Sequence, residues 1–190
     1  MAISQKLKDA CARLQAKAVK DIQDSRKVEI GVIDDQEVAT YASYQEYGWV
    51  QRVTRKQAWW FRNQYVSMPP SAGSSLVLPP RPFLRATLHA EADKWSRVFA
   101  NAVQAYGSVE QALQLVGVTA VADVKTTLAA GGTKDETFEP RAPLTMELYS
   151  NEAAGHQTDG TGNLSVTKPL VKSGALLNSI GFQLSTGSGN

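Results

Sequence analysis

The sequence predicts an α+β domain, a small antiparallel sheet packed against one or two long helices with extended loops or arms. Three observations carry that expectation. Leu84, Leu88, Ala92, Trp95, Phe99, Ala102 and Tyr106 recur at gaps of four and three for more than six turns, the stripe of a long amphipathic helix. Val28, Ile30 and Val32 alternate at the two-residue period of a strand. Polar stretches punctuated by Pro and Gly, at 49–80 and 133–168, separate such elements. With 190 residues, 43% of them apolar and 20% charged, the chain can build one core, expected over 1–185, with 186–190 as a disordered tail.

Taken in order, Leu7, Ala10, Leu14, Ala18 and Ile22 predict an amphipathic helix over 3–24 whose other face carries Lys6, Lys8, Arg13, Lys17 and Lys20. The strand at 28–33 follows, with turn chemistry from Asp34 and Asp35, and then a short helix over 38–47 closed by Gly48. Residues 49–80 hold three of the four tryptophans and two Pro-Pro pairs, and read as a long loop or hairpin. Loops of that length usually have a function or order on a partner. Pro82 suits the first turn of the long helix and Gly107 ends it. Ser108 with Gln111 three residues later has the pattern of a capping box for the next helix, which carries Val109, Leu113, Val116, Ala120, Val124 and Leu128 up to Gly131 and Gly132. So tight a joint allows a helical hairpin or a single kinked rod, and the rod is slightly favoured. Residues 133–168 read as a mobile arm with a short helix at 144–150. Ser173 caps a helix to Ile180, and Phe182–Ser185 is expected to pair with the first strand in a sheet of three or four strands.

Composition and motifs remove most chemistries. The 20 basic and 18 acidic side chains leave a charge of +2, too small to mark a nucleic-acid or membrane-surface protein by itself. Cys11 is the one cysteine, so an internal disulfide or Cys-rich zinc site is excluded, and a reducing compartment is expected. No stretch reads as a secretory leader or a membrane span. His89 and His156 are too few and too far apart for a metal centre, and no cofactor is expected. His156 and Asp159 lack a G-x-S-x-G elbow, which leaves a hydrolase as a distant third reading, and no phosphate-binding glycine motif occurs.

One segment stands out chemically. Residues 51–62 interleave Arg52, Arg55, Lys56 and Arg62 with Trp59, Trp60 and Phe61, a combination that suits phosphates with stacked bases or an aromatic protein interface. The protein interface is favoured, and DNA contact through this loop is the alternative. Arg81 and Arg85 flank Phe83 at a helix start, where cations do not complement the helix dipole, so they are expected to meet carboxylates or phosphates from another chain, a strand or DNA. Pro82, Phe83 and Leu84, with Leu176, Leu177 and Ile180, are read first as core.

Three strings occur in a fixed order: VEIGVI at 28–33 with YASYQEYG at 41–48, LPPRPFLRATL at 78–88, and KPLVKSGALLNSI at 168–180. Together, across about residues 28–185, they resemble the neck or tail-completion proteins of tailed bacteriophages, the head–tail connector components also called virion morphogenesis proteins. The aromatic insertion at 49–66 is longer than that pattern. The resemblance implies a non-enzymatic virion protein at the head–tail junction, made in the host cytoplasm and forming part of a homo-oligomeric ring. Its expected partners are sibling copies, portal-side head-closure proteins and tail-tube or tail-terminator proteins, with genomic DNA in the channel as a further contact and no membrane. Trp59, Trp60, Phe61, Arg81, Phe83 and Arg85 are the expected partner-binding residues.

Overall fold

A computed structural model describes residues 26–153 and 174–186. The helix expected at 3–24, Cys11, His156 and Ser173 lie outside the described residues. The order of elements is β1 (Arg26–Val32), α1 (Gln36–Tyr47), β2 (Trp49–Arg52), α2 (Arg55–Arg62), β3 (Ser75–Leu78), α3 (Phe83–Tyr106), α4 (Val109–Ala130), α5 (Pro143–Ala153), α6 (Ala175–Ser179) and β4 (Ile180–Thr186). The mixed α+β class stands.

The expected pairing of the first and last strands is present: β1 and β4 run antiparallel in a register from Arg26 opposite Thr186 to Val32 opposite Ile180. The expected single sheet of three or four strands is not present among the described residues, whose four strands form two separate two-stranded ladders, β1–β4 and β2–β3. The hairpin joins Trp49 to Leu78 and Arg52 to Ser75, and its chain closes on itself instead of extending the terminal ladder.

Helices α3 and α4 form an antiparallel hairpin, which corrects the kinked rod. Thr87 and Thr127 join their hydroxyls at 2.8 Å, while Asp123 accepts from Lys94 Nζ at 2.6 Å and Trp95 Nε1 at 2.8 Å. A rod could not bring these positions opposite one another. The chain turns at Gly107, after which Ser108 Oγ accepts the Gln111 amide at 3.4 Å, the first half of the capping box. Helix α4 then lies against both α3 and the β1–β4 ladder, and its buried stripe of Ala112, Val116, Ala120, Val124 and Leu128 is the spine of the core. By length and composition alone it is apolar enough to cross a membrane, with a mean hydropathy of 1.2 over the window, although it holds no run of about 18 apolar residues. The stripe faces the protein's own ladder and α3. Around its C-terminal half gather Phe83, Ala86, Phe138, Leu176 and Ile180, so the core role expected for Phe83, Leu176 and Ile180 is observed. Trp95, Val28 and Ile30 gather around its N-terminal half.

Two loop expectations change. Residues 49–80 contain the β2–β3 hairpin, one of the two expected forms, but also α2, although the sequence there has no stable helical period. The short apolar set Ala58 and Phe61 is all that eight residues can bury, so periodicity has too few turns to register. In the expected mobile arm, α5 extends over the predicted 144–150 and is anchored: Glu147 accepts the Ser67 amide at 2.6 Å and the Ser67 hydroxyl, and Asn151 donates to the carbonyls of Gln64 and Tyr65 at 3.0 and 2.9 Å. Those two hydrogen bonds lower the Glu147 pKa from its ordinary value. Helix α6 begins from Gly174, with no side-chain cap.

Candidate functional site

The surface around the β2–β3 hairpin is built on an internal lock. Helix α3 starts at Pro82 without a side-chain cap, leaving the first amides of a 24-residue helix in need of an acceptor. Glu46, buried near the end of α1, supplies it: its carboxylate accepts from the amides of Leu84 at 2.9 Å and Arg85 at 3.2 Å, and from Arg85 Nε at 2.9 Å. Arg85 Nη2 returns a bond to the Glu46 carbonyl at 2.8 Å, and its guanidinium lies 4.9 Å over the exposed Tyr47 ring. The Glu46 carboxyl stands at the N-terminal end of α3, beside the Arg85 guanidinium.

Arg81 completes the lock. Its backbone amide donates to Gln45 O at 2.6 Å, Nη1 to Gln45 Oε1 at 3.0 Å, and Nε and Nη2 to the carbonyls of Glu139 at 2.8 Å and Pro140 at 2.9 Å. Burial pulls its pKa below the ordinary arginine value, and the acceptors compensate the lost water. One guanidinium thus fastens the segment before α5 to the C-terminal end of α1.

Of the six residues expected to bind partners, four are engaged within the chain itself. Phe83 is 0% exposed and Arg81 2%, and both are occupied within their own subunit. Arg85 does meet a carboxylate, but that carboxylate is Glu46 of the same chain. Phe61 is buried beneath α2, edge-on to Trp60 with ring centroids 5.0 Å apart. Trp59 at 66% and Trp60 at 37% exposure are the two that reach the surface. The missed residues are Gln45 and Glu46. A buried carboxylate 38 residues from the first helix amide it caps leaves no local pattern, although the lack of a cap residue before Phe83 is a usable signal.

Above the lock lies the hairpin. Leu76 and Leu78 face inward over a cleft of about 350 Å3 lined by Tyr41, Trp49, Phe61 and Tyr149 among others. Val50 and Val77, directly opposite one another, point outward with 64% and 62% exposure. Both outer edges of this two-stranded ladder are unpaired with any strand among the described residues. Tyr44 and Trp49 stack obliquely at 5.5 Å beside it. Neither the hairpin nor α2 makes an extensive contact with the long helices. The result is an apolar, open-edged ladder set on the Glu46–Arg85 and Arg81 contacts beneath it. His89 is exposed on α3, and among the described residues no three potential metal ligands gather.

Comparison with family models, curated proteins and solved structures gives no match to this chain.

Proposed function

We propose that the chain is a non-enzymatic structural subunit of a tailed-bacteriophage neck, one copy in a ring around the axial channel that joins the portal-side head-closure complex to the tail. The observation that carries this reading is the meeting of the strings on which the resemblance rests. Gln45 and Glu46 of YASYQEYG bond to Arg81 and Arg85 of LPPRPFLRATL, and Leu176 and Ile180 of KPLVKSGALLNSI share a core with Phe83. Residues far apart in the chain form one unit, as a motif set selected for a common scaffold would.

The surface that this scaffold presents suits self-association. An exposed Val50–Val77 pair and free strand edges are stable in solution only at some risk of aggregation, and a ring of copies covers them. Portal-side and tail-side proteins are the other partners of such a ring, and the virion neck is its location after assembly in the host cytoplasm.

Purified full-length protein should form closed rings by electron microscopy and light scattering. Val50→Lys with Val77→Glu should leave a folded monomer with an unchanged circular dichroism spectrum, since both positions are solvent-exposed in the subunit and opposite charges across the ladder do not repel. A wild-type protein that stays monomeric at high concentration and fails to add to purified heads or tails would overturn the reading.

A further inference from the structure

We propose that the outer face of α2 binds a nucleic-acid strand, with its cations against phosphates and its indoles against bases. Helical geometry creates a pattern that the linear sequence only hinted at. Residues three and four apart share a face, so Arg55, Trp59 and Arg62 form one row and Lys56, Trp60 and Asn63 the next. Ala58 and Phe61 take the opposite, buried side. The exposed face therefore alternates cation and indole along its length.

The face is held ready. Thr54 Oγ1 accepts the Gln57 amide at 3.2 Å while Gln57 Oε1 accepts the Thr54 amide at 2.9 Å, a complete capping box, and Asn63 Nδ2 closes the far end on the Trp59 carbonyl at 2.9 Å. Arg52 stands nearby, its Nε on the Gly73 carbonyl at 3.3 Å.

Its charge is uncompensated. From Tyr47 to Ala90 the chain has six cations and no carboxylate side chain, so the overall +2 conceals a strongly basic module. Arg81 and Arg85 are spent on the internal lock. Arg55, Lys56 and Arg62 form no ion pair with any carboxylate among the described residues. Glu147, which reaches the following turn, is engaged with Ser67. Three exposed cations without counter-charge in their own chain, around an indole that is two-thirds exposed, call for an anionic partner. A polyanion with stackable rings supplies both what the cations and what the indoles lack.

The inference does not rest on the ring, and its test uses the isolated full-length protein with fluorescent 20-mer oligonucleotides, single-stranded and duplex, titrated at several salt concentrations. Because the N-terminal residues have lysines of their own, the readout is the change in salt slope. Replacing Arg55, Lys56 and Arg62 together by Gln should lower the slope of log K against log salt by roughly 2 on single strands or roughly 2.7 on duplex. Trp59→Ala should weaken single-strand binding by about five- to a hundredfold, and duplex binding much less, because only unstacked bases offer a face. Circular dichroism checks that these exposed substitutions leave the fold intact. No binding by folded wild type, an unchanged slope in the triple variant, or a triple variant defective only in self-assembly would each overturn the proposal, the last by assigning the face to protein.

Discussion

Glu46 is the residue on which the geometry around the hairpin turns. Its buried carboxylate serves two helix amides and a guanidinium at once, so truncation leaves three donors without an acceptor. Glu46→Ala should therefore lower stability by about 2–4 kcal/mol in urea unfolding. Arg85→Ala should cost only about 1 kcal/mol, because the arginine side chain is half exposed and water replaces part of what is lost. Equal losses from the two variants would contradict the view that Glu46 acts mainly as the cap of α3. Gly48 is a second constrained position. Its φ of 77° lies in the left-handed region, and a Cβ there would stand 2.9 Å from the Leu78 carbonyl oxygen and 3.0 Å from the Pro80 nitrogen. Sequence reading placed this glycine correctly as the end of α1 but could not see the returning strand that crowds it.

At the scale of elements, the legible parts were those with enough turns or alternations to repeat. Helices α3 and α4 have six turns or so of apolar period and explicit boundaries, and β1 shows its alternation, so all three could be read directly. Helix α2 could not, since its eight residues bury just two side chains. Pairing was legible for β1 with β4, whose apolar patterns match, whereas the split into two ladders depends on how the chain turns in three dimensions. The packing of β4 on α4 was also invisible. The Phe182 ring packs against the helix at Gly117, where an added Cβ would fall 2.2 Å from it. Gly117→Ala, which in an isolated helix would be favourable, should here destabilise by about 1–3 kcal/mol through overpacking. Combining it with Phe182→Leu should recover part of that loss in a double-mutant cycle. Additive losses would mean that the ring and the helix do not meet.

For the molecule as a whole, the basic hairpin is a module set into the main fold. Val53, Ala58, Phe61 and Val66 are buried within it, apart from the two clusters around α4. Its two ends meet where Gly48 touches Leu78 and Pro80. Joining Gly48 directly to Pro79, with residues 49–78 removed, should leave a protein that still unfolds cooperatively. Helix α5 should then become sensitive to limited proteolysis, because its anchors on Ser67, Gln64 and Tyr65 are gone. Loss of cooperative unfolding would show instead that the module is integral to the core.

The terminal ladder has a different consequence. Residue 26 pairs with residue 186, so nearly all of the chain must leave the ribosome before that ladder can close. The local α3–α4 hairpin can form on the nascent polypeptide, whereas a product shortened by premature termination lacks the strand that covers α4. A nascent polypeptide that stops short of residue 180 would thus hold Gly117 and its neighbours bare to water, and the covering of α4 is among the last events of synthesis for these residues.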